Sequence, residues 1–79
     1  MSIILRMALP APVYGLFDYL PPDKLHKDKL VPGQRLLVPF GRTERCGMLV
    51  ELSNHTSVPR HQLRAAHKLL DEAPLISQE

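Results

Sequence analysis

The chain is poor in several residue types, and each shortage excludes something. Cys46 is the only cysteine among 79 residues, so no disulfide can form within the chain; a lone thiol suits a reducing compartment. Tryptophan is absent, and two tyrosines and two phenylalanines make up the whole aromatic complement. No hydrophobic run is long, because Arg6, Pro10 and Pro12 break the apolar N-terminus. That excludes a signal-peptide core and a bilayer span, so the expectation is a soluble cytoplasmic chain with no membrane partner. Glycine is scarce, four residues against eight prolines, which points to rigid turns between short elements. A chain this short makes one domain at most, residues 1–79, with a small buried fraction and modest stability. Its 44% hydrophobic content still argues against disorder.

Net charge is also small, +2 from ten basic and eight acidic residues, but it is unevenly spread. Residues 40–68 carry Arg42, Arg45, Arg60, Arg64 and Lys68 against Glu44 and Glu51; residues 69–79 carry Asp71, Glu72 and Glu79. A basic middle favours a polyanionic partner, although a solvated surface is the commoner reason for such a pattern.

Alternation marks the strands. Ile3, Leu5, Met7 and Leu9 fall on one side of an opening strand that Pro10 ends, with Ile4, Arg6 and Ala8 on the other. FDYL at 17–20 reads as a brief strand stopped by Pro21-Pro22, and DKLHKDKL at 23–30 as a solvated loop with at most a helical turn or two. Pro32-Gly33 supplies a turn. QRLLVPF (34–40) and RCGMLVEL (45–52) then form a hairpin around GRTE, with Pro39 at an edge or a strand end. SNHTSVPR (53–60) is a polar loop. The closing segment from Gln62 suits helix by propensity, yet Leu63, Ala65, His67 and Leu69 alternate as a strand would. Short strands between Pro/Gly turns indicate a mainly β fold, a small OB-like β-barrel of antiparallel strands.

Catalytic chemistry finds little support. The four histidines have no cysteine partners at zinc-finger spacing, and His55, His61 and His67 recur every six residues, which matches no standard ligand pair. Surface histidines, and no metal, are the expectation. Cys46 lies in an apolar run without a neighbouring base, so it reads as a buried small hydrophobe and not a nucleophile. VPFGRTER lacks the glycines and the Lys-Ser/Thr ending of a phosphate-cradling loop.

The aromatic residues are more informative. Tyr14, Phe17 and Tyr19 crowd around Asp18 in VYGLFDYLPP. On a strand, Phe17 and Tyr19 share one face and Asp18 takes the other. A ring can stack on any nucleobase for about 1–3 kcal/mol, while a carboxylate accepts from a base edge or a free sugar hydroxyl. Because a carboxylate repels phosphate, such a site suits a strand end better than mid-strand backbone. The commoner account of the same residues is a core pair beside a turn-capping acid.

FDYLPP, VPGQRLLVPFGR, RCGMLVEL and LRAAHKLLDEAPLI, in this order and spacing, resemble the N-terminal domain of the replication-restart primosomal helicase family (primosomal protein N-prime, PriA). The blocks cover most of the chain, and FDY followed by VPFG about twenty residues later is the specific combination. Members of that family are much longer. The resemblance implies an OB-like barrel that binds the 3′ end of the nascent leading strand at a stalled fork and orients the helicase for restart. Carried over, the terminal-nucleotide pocket comprises Phe17, Asp18, Gly41 and Arg64, where a lysine is common in the family at the last position. Arg42 and Arg45 are candidates for neighbouring phosphates, and Tyr14 and Tyr19 for the core. The resemblance also favours a strand over residues 64–70. It implies DNA with a free 3′-hydroxyl end, branched fork DNA and, through the full-length protein, other primosome proteins as partners. ATP, Mg and Zn belong to the family's other regions, so the fragment itself is expected to need no cofactor and to be catalytically silent. The rival readings are a generic single-stranded DNA-binding barrel and a protein-interaction barrel.

Overall fold

The computed structural model describes residues 3–10, 15–23 and 27–71. Five strands make one sheet: β1 (Ile4–Ala8), β2 (Leu16–Tyr19), β3 (Arg35–Phe40), β4 (Thr43–Ser53) and β5 (Lys68–Leu69), in the order β2-β1-β4-β3-β5. All four pairings are antiparallel. Single 3-10 turns occur at Lys27–Lys29 and Arg60–Gln62, and no α-helix is present among the described residues.

The alternation read in β1 holds at Leu5 and Met7, which are wholly buried. They join Tyr19, Leu30, Leu36, Val38, Leu49 and Ala66 in one core. Ile4, on the opposite face, is buried as well, because Thr56, Val58 and Leu63 of the segment after β4 come over it. The pairing of β1 with β4 steps from Arg6↔Glu51 to Met7↔Leu49, leaving Val50 as an extra residue on β4. Such a bulge bends the long central strand and increases its twist, which curls a sheet this small. Gly47 admits a close approach of β1's end, since an added Cβ would collide with Leu9 Cδ2 and lie 3.1 Å from the Ala8 carbonyl oxygen.

Curling brings the two sheet edges together. Beyond β2, the Leu20 N–H donates to the Arg64 carbonyl (2.9 Å) and the Ala66 N–H donates to the Leu20 carbonyl (2.8 Å), a single parallel bridge between Leu20 and Ala65. Two residues later the chain changes partner, and the His67 and Leu70 N–H groups donate to the carbonyls of Leu37 and Arg35 on β3. The closing segment is therefore extended, as expected over helix, but it is not one strand from 64 to 70. Only Lys68–Leu69 forms a ladder, because the segment spends its first half on one edge of the sheet and its second half on the other. Across the interior, the Tyr19 hydroxyl donates to the Pro39 carbonyl at 2.7 Å. The fold is mainly β and barrel-like, as read from the sequence.

Two further expectations change. The β3–β4 hairpin pairs Phe40 with Thr43, so its loop is only Gly41 and Arg42. Cys46 is exposed, not buried. The reason is register: β1 reaches along β4 only as far as Met48, so residues 43–46 project past it with β3 as their one paired neighbour. Tyr14, His26, Glu72 and Glu79 lie outside the described residues.

Candidate nucleic-acid interface

Where β2 and the closing segment diverge from their bridge, the space between β2 and the tip of the β3–β4 hairpin opens into a cleft of about 300 Å³. Phe17, Asp18, Gly41 and Arg64 all line it. Separated by up to 47 positions in the sequence, they come from three different segments and meet at one site. Arg42 and Arg45 do not line the cleft; both are exposed on the hairpin, and Arg45 donates to the neighbouring Glu44 carbonyl.

The apolar wall is a pair of rings. Phe17 and Phe40 meet edge to face, with centroids 5.4 Å apart and planes at 87°, the arrangement their quadrupoles prefer. Tyr19 sits deeper, in the core, where burial pushes its hydroxyl pKa up against the opposing pull of the Arg64 charge. The alternation of β2 explains this division, since Phe17 and Tyr19 turn inward while Asp18 stands opposite Arg6 across the β1–β2 pair.

Asp18 is already engaged on both oxygens. Arg6 Nε donates to Oδ1 at 3.1 Å, and the Thr56 hydroxyl donates to Oδ2. Arg6 also meets Glu51, its partner on β4, and donates to the His55 carbonyl at 3.0 Å. Hydrogen bonding and charge from Asp18, with help from Glu51, raise the guanidinium pKa further, so Arg6 is a permanent cation beside the acid. A carboxylate offers about four lone-pair positions, so Asp18 retains acceptor capacity.

The opposite rim is built from the hairpin tip. Gly41 has φ of +61°, the left-handed region that a two-residue hairpin loop requires and that glycine enters without penalty. An added Cβ would meet nothing within 4 Å, so space at this position is open. Arg64 spans the gap, donating from Nη1 to the Gly41 carbonyl at 2.9 Å. The exposed guanidinium thus holds the hairpin tip while presenting a positive charge at the cleft.

Several contributors were not singled out in the sequence. Phe40 carried a signal, being the fourth aromatic and the neighbour of Gly41. Ser57, Val58 and Gln62, which also line the cleft, and Arg6 and Thr56 behind Asp18 sit in segments whose local pattern says nothing about it. Among the described residues, no three His, Cys, Asp or Glu side chains gather as a metal site would need. No helix of these residues is long and apolar enough to cross a membrane.

A family model described as the 3′DNA-binding domain (3′BD) of PriA matches residues 6–79. The chain belongs to the PriA 3′DNA-binding domain family. The replication restart protein PriA of Haemophilus influenzae is 39% identical over 74 residues, covering 94% of this chain and 10% of that protein. The chain therefore spans about a tenth of that relative's length. As a PriA 3′DNA-binding domain it is a binding module and not an enzyme, and 79 residues hold no helicase motor. All four cleft residues named above fall within the matched region.

Proposed function

We propose that this domain, acting as one unit over residues 1–79, binds the 3′ end of the nascent leading DNA strand at stalled replication forks. The observation that carries the reading is the convergence of Phe17, Asp18, Gly41 and Arg64 on one cleft. At about 300 Å³ the cleft lies at the lower end of small-ligand sites, a size that suits one nucleotide and not a tracked strand. The Phe17–Phe40 corner offers stacking without base preference. Asp18 accepts from the terminal sugar hydroxyl or a base edge with its remaining lone pairs. Arg64 supplies the charge for the last phosphate, and open space at Gly41 admits close approach. Arg42 and Arg45, on the projecting hairpin, are placed to meet phosphates upstream of the end.

Within a full-length protein this binding would orient a helicase motor on branched fork DNA in the bacterial cytoplasm and present the fork to other primosome proteins. ATP, Mg and Zn would serve those other regions; the domain's own chemistry calls for none.

The test is fluorescence anisotropy with a short labelled single strand ending in 3′-hydroxyl, against the same strand ending in 3′-phosphate. Wild type is expected to bind the hydroxyl end at least about tenfold more tightly, since a phosphate meets the Asp18 charge and cannot donate to it. Equal binding that rises with strand length and falls steeply with salt would instead mark a backbone-tracking barrel. No binding of either strand would leave a protein-interaction barrel.

A further inference from the structure

Residues 54–58 form one wall of the cleft, through Ser57 and Val58, yet no main-chain to main-chain hydrogen bond ties this segment to the sheet among the described residues. Side chains do it. At the end of β4 the Ser53 hydroxyl donates to the His55 carbonyl and accepts from the His55 N–H; Arg6 donates to the same carbonyl, and the Thr56 hydroxyl donates to Asp18 while accepting from the Val58 N–H at 3.1 Å. One hydroxyl thereby links the carboxylate to the main chain of a wall residue. Packing over Ile4 secures the segment only in part, because a second cavity of about 330 Å³ lies behind it, lined by Ile4, Leu20, Thr56 and Val58 among others. Val58 borders both spaces, so the wall has a hollow on each side.

We propose that Arg6 and Thr56 are positioning residues for the strand-end site, holding the Ser57–Val58 wall, through Asp18 and the His55 carbonyl, at the width one terminal nucleotide needs. This rests on the end-binding reading above. Asp18 then has two tasks on separate lone pairs: it fixes the wall and accepts from the strand end. Arg6 suits its part because a planar guanidinium reaches Asp18 through Nε and His55 through Nη2 at once, which a lysine ammonium on a single stem does not. Its charge also offsets that of Asp18 beside an incoming polyanion.

Three variants test this: Thr56→Val, which keeps the shape and removes the hydroxyl; Thr56→Ser, which restores it; and Arg6→Lys, which keeps the charge. Anisotropy with the hydroxyl-ended and phosphate-ended strands is measured for each, beside the melting temperature. Thr56→Val is expected to lose about five- to tenfold in affinity for the 3′-hydroxyl strand, less than the full worth of a hydrogen bond to a charged group because the bond holds the wall and does not touch the strand, with Thr56→Ser close to wild type. Arg6→Lys should weaken the same binding with an unchanged salt slope. If wild type discriminates between the ends and Thr56→Val binds within twofold of it, the proposal is overturned. If wild type does not discriminate, the end-binding reading fails instead. Amide exchange at Val58 in the DNA-free protein then reads the link alone: faster exchange in Thr56→Val supports a held wall, and unchanged exchange rejects it.

Discussion

Two arginine–aspartate pairs join distant parts of this chain, and they are built differently. Arg35 and Asp71 lock the start of β3 to the end of the closing segment: Nε and Nη2 reach the two carboxylate oxygens at 3.0 and 3.1 Å, and the Arg35 main-chain N–H adds a third bond at 2.9 Å. Every one of these donors belongs to a single residue. At Asp18 the donors come from two elements, Arg6 on β1 and Thr56 in the loop, one on each oxygen. Among the described residues Asp71 takes three bonds from one partner; Asp18 is shared between two and keeps room for another donor. The same two residue types thus make a fastener in one place and a shared junction in the other.

Substitution of the two acids gives the sharpest contrast and the largest effect. Asp18→Ala is expected to reduce affinity for a 3′-hydroxyl strand by about ten- to a hundredfold, since hydrogen bonds to charged groups are worth about 1.5–3 kcal/mol. Asp71→Ala is expected to lower the melting temperature and leave the affinity of the folded domain unchanged. Loss of end binding in both variants would erase the distinction.

Acid loosens the Arg35–Asp71 fastener more gently. Hydrogen bonds from the Arg35 side chain and main chain, and its charge, hold the Asp71 carboxyl below its ordinary 3.8, against the opposing effect of desolvation. A depressed folded-state value means this stabilisation is complete above the unfolded-state value and is lost as the pH falls below about 4 through the folded one. Melting curves of wild type and Asp71→Asn should therefore differ at neutral pH and converge in acid. Parallel curves down to pH 3 would assign the fastening to other contacts.

The smallest change concerns the other end of the cleft. Arg64→Lys keeps the charge and shortens the reach to the Gly41 carbonyl, so less than about a threefold loss of affinity is expected, in line with a charge-based role at an exposed position. A loss as large as that of Asp18→Ala would make the planar fork, and not the charge, the part that matters.

Much of the fold is legible in the sequence. Period-two alternation and the Pro/Gly stops located β1 to β4 within a residue or two, and the cluster of aromatics around Asp18 pointed to the cleft. The resemblance added Gly41 and Arg64, which no local pattern could have joined to Phe17. Where the reading fell short, long-range register was the cause. The exposure of Cys46 follows from β1 ending opposite Met48, which only the pairing reveals. The closing segment was ambiguous because leucines and alanines at those spacings satisfy both periods, and it divides itself between two partners. Thr56 was invisible for a related reason. A threonine in a polar loop acquires its meaning only when Asp18, 38 positions earlier, arrives beside it.

The bridge between Leu20 and Ala65 carries a consequence for the order of folding. Local hairpins such as β3–β4 form early, whereas pairings between distant residues wait on costly loop closure. The bridge joins residues 45 apart and can close only on a sheet already curled by the β1–β4 bulge. The cleft borders that closure, so it is absent from any partly folded state that lacks it. The cleft is therefore the last part of the fold to form, and its presence reports that the sheet has curled and closed.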